Sequence, residues 1–238
     1  FDEERTCWEL IPKIRSFNKK KINPCSLEYF DHNSLKKLKS KYKKIPSYSR
    51  AALFFEQDIA QSKDYDLTVE NWHEFLSAEN LILDDSWFAQ GEKDIQLFHD
   101  FRHDIPVIIN EENSRASRVK LGTDMAIPDN HFIAMMEFYQ ETLRISGLDH
   151  VIFGHLGDNH LHINLLPKES QIDDAQQLYE QMVTQILKWK GTVSAEHGIG
   201  KLKKKYFEKM VGSDGLNDLK KIKYRLDPGN RLGAGNIM

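Results

Sequence analysis

Four imidazoles and a carboxylate fall within two short glycine-containing segments of this chain. The first is Gly154-His155-Leu156-Gly157-Asp158-Asn159-His160-Leu161-His162-Ile163-Asn164, and the second is Ser194-Ala195-Glu196-His197-Gly198-Ile199-Gly200. Each follows a run that ends in apolar or β-branched residues, Val151-Ile152-Phe153 and Thr192-Val193, which reads as a strand end. Zinc and similar divalent ions accept neutral imidazole and carboxylate as ligands, and imidazole also exchanges a proton near neutral pH. Such side chains concentrated at strand ends point to a metal, a proton-transfer site, or both.

The spacing says how they could meet. His160 and His162 are two apart, so on a strand they share a face. Gly157-Asp158-Asn159 is a natural turn, and a reversal there brings His155 beside His162. Glu196 then arrives from the second segment, at the far end of an intervening helix. Plainer readings exist for single members of the set. Gly157 and Gly198 read as turn glycines, Asp158 as a turn cap, and His160 as the weakest of the four, pointing to solvent. A lone histidine in a loop is usually a surface or hydrogen-bonding residue. Three within one hairpin plus a Glu-His pair favour a site.

The elements that must position these groups alternate between helix and strand. Trp8, Ile11, Ile14 and Phe17 recur at helix spacing over residues 4–18. Asp31 or Asn33 caps a second helix through Leu35, Leu38 and Tyr42. Ala51 to Phe55 reads as a buried strand and Ser86-Trp87-Phe88-Ala89 as a short one. A long amphipathic helix carries Ile95, Phe98, Phe101, Arg102 and Ile105, and Pro106 ends or kinks it. Residues 118–127 are extended and closed by Pro128. Residues 129–146 form a helix, Val151–Gly154 and Leu161–Leu166 two strands, and Asp173 opens another helix. The alternation predicts an α+β fold on an antiparallel sheet of ferredoxin-like type, with two βαββαβ-like units and helices on one face.

Composition narrows the class. The 238 residues suffice for one large core, and 40% hydrophobic with 29% charged content is that of an ordinary globular protein. A net charge of -3 argues against a general nucleic-acid binder, so Lys19-Lys20-Lys21 and Lys203-Lys204-Lys205 read as solvated faces. Two cysteines, Cys7 and Cys25, give no disulfide framework, which favours a reducing, cytoplasmic setting. No apolar run has the length of a transmembrane segment. The opening Phe1-Asp2-Glu3-Glu4 has no initiator methionine and leads straight into a helix, which suggests a polypeptide that extends further N-terminally. No G-x-G-x-x-G follows a strand and no G-x-x-x-x-G-K-S/T occurs, so the chain shows no phosphate cradle of its own.

The pattern G-H-L-G-D-x-x-L-H-I-N, then V-S-A-E-H-G-I-G, then L-D-P-G-N resembles the C-terminal domain of FAD-linked oxidases. That group includes D-lactate dehydrogenase, glycolate oxidase and D-2-hydroxyglutarate dehydrogenase. Pro24 to Asp31 resembles the family's P-x-x-L-E-x-x-D segment, and the likeness runs the whole chain, 1–238. Two positions depart from it: Asn159-His160 stands where the family motif H-x-G-D-G-N-x-H has Gly-Asn, and Gly233-Ala234-Gly235-Asn236 replaces N-P-G-K. The resemblance implies that His155, His162 and Glu196 hold a divalent metal, zinc, and that His197 is the general base. It implies that Arg102 and Lys120 meet a substrate carboxylate and that Asn164 lines the substrate pocket. It further implies a small 2-hydroxy acid as substrate and FAD as hydride acceptor. The FAD is held mostly by an N-terminal domain of the same polypeptide, and an electron acceptor that can be membrane-peripheral lies beyond it. On the residues alone, a metal-dependent hydrolase and a non-catalytic domain with a structural metal remain open alternatives.

Overall fold

The computed structural model describes residues 1–79, 81 and 83–236. Helix α1 spans Glu4–Ser16, strand β1 Ser26–Phe30, α2 His32–Leu38, β2 Ala52–Glu56, α3 Tyr65–Ala78 and α4 Glu92–Arg115. Two short strands follow, β3 Leu121–Gly122 and β4 Met125–Ala126. Then come α5 Phe132–Ser146, β5 His150–His155, β6 His160–Leu165, α6 Ile172–Lys188 and α7 Lys204–Leu226. The strands form one antiparallel sheet in the order β2-β1-β5-β6-β3, with β4 pairing on β6 beside β3. The α+β class and the antiparallel sheet are as expected from the alternation.

The helices cover both faces of that sheet, not one. Leu27 and Tyr29 of β1 pack with Trp8 and Ile11 of α1, Met135 and Tyr139 of α5, and Met182 and Ile186 of α6. Their neighbour Phe30 points the other way, into a second core with Leu35 and Leu38 of α2 and Phe101, Ile105 and Ile109 of α4. Alternate side chains of a strand face opposite sides, so two buried cores require two covered faces. Among the described residues the strands do not make two βαββαβ units. The second half supplies one hairpin, β5–β6, flanked by α5 and α6, while β3 and β4 are two residues each and only edge it.

Three local expectations resolve as follows. Asp31, not Asn33, caps α2, accepting a hydrogen bond from the Ser34 amide at 2.8 Å. Residues 86–89 form no strand. Trp87 instead packs its ring against Phe98 and Phe101 at centroid distances of 6.2 and 5.5 Å, so aromatic packing rather than a ladder fixes it. Helix α4 does not stop at Pro106 but continues to Arg115. Proline removes one intrahelical hydrogen bond, whereas burial of Ile105 and Ile109 on either side favours carrying the helix on.

Candidate active site

The β5–β6 hairpin sets the first group of side chains. Phe153 of β5 pairs with His162 of β6, and the chain reverses through a 3-10 turn at Leu156–Asp158. Asn159 closes the turn in the left-handed region, φ +52°, which asparagine tolerates better than most residues. Its Nδ2 donates to Asp129 Oδ1 at 2.7 Å, and its Oδ1 accepts from Arg15 at 2.6 Å. Asparagine here thus accommodates the left-handed turn and adds side-chain bonds to it. Gly154 has φ +126°, and a Cβ there would sit 2.9 Å from His162 Cδ2, so the missing side chain makes room for that ring.

The second segment is fastened to the hairpin by a residue that the motifs did not include. Asp124, fully buried beside β4, accepts from Ser194 Oγ at 2.6 Å, Lys203 Nζ at 2.7 Å and the amides of His197 and Glu196 at 3.0 and 3.2 Å. Its Oδ1 also lies 2.9 Å from His160 Nε2. Burial works to raise this carboxyl's pKa, but the hydrogen bonds and the Lys203 charge hold it well below the usual carboxylate range.

These contacts bring the predicted residues together. Glu196 Oε1 lies 3.0 Å from His162 Nε2 and 3.3 Å from His155 Nε2. The other ring nitrogen of His155, Nδ1, is 2.9 Å from Glu28 Oε1. His197 stacks on His162 with centroids 4.9 Å apart, its Nε2 3.5 Å from Glu196 Oε1. Arg102 reaches from α4 to Glu28 at 2.8 Å, and Lys120 donates to Asn110 at 2.9 Å. Asn164 stands on β6 against Gly122, where a Cβ would meet its Oδ1 at 2.9 Å. All seven sequence-predicted residues, His155, His162, Glu196, His197, Arg102, Lys120 and Asn164, line one cavity of about 760 Å³.

His160 departs from its reading as a solvent-facing residue. It is buried, because β6 is covered on both faces, and its partner is Asp124. Sequence reasoning also gave no site role to Glu28 and Asp124, and its reading of Lys203 as part of a solvated face fails, because that side chain is 13% exposed and paired with Asp124. The available signal was an acid within an otherwise apolar strand, Leu27-Glu28-Tyr29-Phe30, and another in Asp124-Met125-Ala126-Ile127.

Electrostatics divides the histidines. The hydrogen bond to Glu28 raises the pKa of His155 against the effect of burial. Burial, then the neighbouring rings of His160 and His197, pushes His162 down to about 4, so it is a neutral imidazole at physiological pH. Burial also lowers His160 and Lys120. Burial works to raise Glu28 and Glu196, yet their imidazole neighbours, with Arg102 beside Glu28, carry both below the ordinary value.

The donor chemistry fits a divalent metal. The ligand atoms of His155, His160, His162 and Glu196 lie within 4.8 Å of one another, and Glu28 orients His155 as an outer carboxylate orients a ligating imidazole.

The family model for the C-terminal domain of FAD linked oxidases matches residues 5–237, and the chain belongs to that family. It is 32% identical over 119 residues to a mitochondrial D-lactate dehydrogenase [cytochrome] of Arabidopsis thaliana, covering 49% of this chain and 21% of that protein. It is 22% identical over 227 residues to glycolate oxidase subunit GlcD of Bacillus subtilis, covering 91% of this chain and 46% of that protein. The chain thus spans less than half the length of these two relatives. Its fold resembles 4-ethylphenol oxidase from Gulosibacter chungangensis, with TM-score 0.60 over the whole chain and 52% of that one, at 9% identity. Among the described residues, no helix is long and apolar enough to cross a membrane.

Proposed function

We propose that this chain is the substrate- and metal-binding domain of an FAD-linked dehydrogenase of small 2-hydroxy acids, D-lactate-like in kind. The observation that carries the reading is that one cavity is lined by His155, His162 and Glu196, by the His197 imidazole and by the cations Arg102 and Lys120. The names of the relatives agree with it, since D-lactate and glycolate are 2-hydroxy acids.

The residues divide the work. Arg102 and Lys120 bind the substrate carboxylate, Arg102 through its planar fork and Lys120 as a point charge. His155, His162 and Glu196 would hold a divalent metal, which when bound polarises the substrate hydroxyl and eases loss of its proton. His197 takes that proton at Nε2, the nitrogen that faces Glu196 and the ligand cluster. Asp124 lies 3.9 Å from His197 Nδ1 and accepts from the His197 amide at 3.0 Å, which holds that residue in place. Asn164 and Gly122 line the same cavity and would bound the substrate. FAD, held mostly by an N-terminal domain of the same polypeptide, supplies the hydride acceptor.

The test is a screen of 2-hydroxy acids on the flavin-loaded full-length polypeptide, read by bleaching of the flavin. His197→Ala should lower kcat by about 10²–10⁴-fold. Arg102→Ala should chiefly raise KM, and should hurt hydroxy acids far more than uncharged alcohols. Failure of every 2-hydroxy acid to bleach the flavin would sink the proposal.

A further inference from the structure

His160 occupies the position where the family motif has asparagine, and its surroundings are those of a metal ligand. It shares a strand face with His162, and their ring centroids are 4.6 Å apart. The His155 ring is 5.2 Å away. A ligand atom of His160 lies within 4.8 Å of those of His155, His162 and Glu196. Nε2 has a partner, Asp124 Oδ1 at 2.9 Å, and binding a metal through Nδ1 would keep that contact.

The arrangement repeats the one at His155. There Glu28 binds Nδ1 and Nε2 faces the cluster, whereas at His160 Asp124 binds Nε2. A carboxylate on the far nitrogen fixes the tautomer and makes the near nitrogen a better donor. Both carboxylates are buried, and both are held by further partners: Glu28 by Arg102, Asp124 by Lys203 and Ser194. Two histidines of one cluster thus carry the same outer support. An asparagine at position 160 would offer no imidazole nitrogen.

We propose that His160 is a fourth protein ligand, so that this chain binds its metal through three imidazoles and Glu196. The inference rests on the metal reading given above. It gives this chain a tighter site than a His/His/Glu set. A substrate hydroxyl would then enter as an added, fifth position rather than into an open fourth one.

Metal itself is the probe. The 238-residue chain is loaded with zinc, and its affinity is measured by competition with a chromophoric chelator, with X-ray absorption counting imidazole ligands. Three imidazoles are expected in the unsubstituted chain. His160→Asn, the family's own residue, should lower affinity more than about 100-fold, because loss of an outer partner alone costs about 10–100-fold. Asp124→Asn should fall in that smaller range. Cobalt in place of zinc should give a visible spectrum that changes on His160→Asn, and circular dichroism confirms that the variant is folded.

Three imidazoles with the affinity loss support the proposal. Two imidazoles, with affinity and cobalt spectrum unchanged in His160→Asn, overturn it and leave the His155/His162/Glu196 site standing. An unsubstituted chain that takes up no zinc or cobalt overturns both. The ligand count is made on the unsubstituted chain, so the proposal stays testable even if His160→Asn fails to fold.

Discussion

Removing the carboxylate of Asp124 should cost more stability than its place beside a two-residue strand suggests. It accepts from Ser194, Lys203 and the amides of His197 and Glu196, and contacts His160, all at 2.6–3.2 Å, with 1% of its side chain exposed. Asp124→Ala leaves the Lys203 ammonium, itself only 13% exposed, without its counter-charge and two amide donors without an acceptor. Breaking a buried pair on one side costs about 3–5 kcal/mol. Lys203 can turn toward water, which favours the lower end. For a chain of this size that is a fall in Tm of about 6–20 °C. Asp124→Asn should be milder. With its oxygen on the Oδ2 side it still accepts from Ser194, Lys203 and His197, and a tautomer switch lets His160 accept from the new NH₂. The Glu196 amide is then opposed, at about 1–3 kcal/mol, and Lys203 keeps an acceptor though not its counter-charge. Thermal unfolding followed by circular dichroism gives the order parent, Asn, Ala. Lys203→Met in the Asp124→Ala background should recover part of the loss, because it removes the unpaired charge. A Tm for Asp124→Ala within about 2 °C of the parent would refute the view that this carboxylate fastens the Glu196-His197 segment.

Asn159→Gly should lose the bonds to Arg15, Asp129 and the Ile127 carbonyl, whereas Asn159→Ala should be less stable still by about 1 kcal/mol, the left-handed strain net of glycine's freedom in the unfolded chain; equal melting temperatures would contradict the φ of +52°. Lys120→Met in the flavin-loaded protein should raise KM for an acid substrate by about 10- to 100-fold, the worth of one charge-assisted hydrogen bond, and an unchanged KM would leave Arg102 as the carboxylate's sole cation. The Lys223 ammonium and the amides of Arg231 and Leu232 hold Asp227 down at about 2. A depressed carboxyl contributes stability above its unfolded value and loses it as pH falls through the folded one. The turn after α7 should therefore stay closed near pH 4 and open toward pH 2. Amide exchange at Arg231 and Leu232 measures this, and opening already complete at pH 4 would refute the pairing.

Most of what proved legible was local. The helical spacing of Trp8, Ile11 and Ile14 marks a face that is in fact buried. The turn at Gly157-Asp158-Asn159 predicts the meeting of His155 and His162, and turn chemistry acts over a few residues. The missed contacts are distant in sequence. Glu28 meets His155 across 127 positions and Asp124 meets His197 across 73. A sequence shows that an acid is present in an apolar strand but not which base will satisfy it. The second covered face of the sheet has a readable signal. Leu27-Glu28-Tyr29-Phe30 is buried at every position, the mark of a strand covered on both sides, whereas helices on one face alone would require alternation. The solvent-facing reading of His160 fails for the same reason, since β6 is likewise buried throughout.

The two covered faces explain why the site can be built from so many charges. A buried carboxylate persists only where donors compensate its lost hydration. Here Glu28 has His155 and Arg102, and Asp124 has Lys203, Ser194 and two backbone amides. Both acids are thereby committed to positioning, one of an imidazole and one of a loop. Glu196 is the exception, with 45% of its side chain exposed at the cavity wall and facing three histidines. Lys120 also differs from Arg102 and Lys203, since its hydrogen bond goes to a neutral amide rather than to a carboxylate. The cavity therefore presents a carboxylate, Glu196, beside its imidazoles, and a cation, Lys120, that is not committed to a carboxylate. In the function proposed above, a 2-hydroxy acid uses both signs of charge, its carboxylate on Arg102 and Lys120 and its hydroxyl toward Glu196 and the imidazoles. A surrounding set of mutually satisfied charges holds both in place before any ligand arrives.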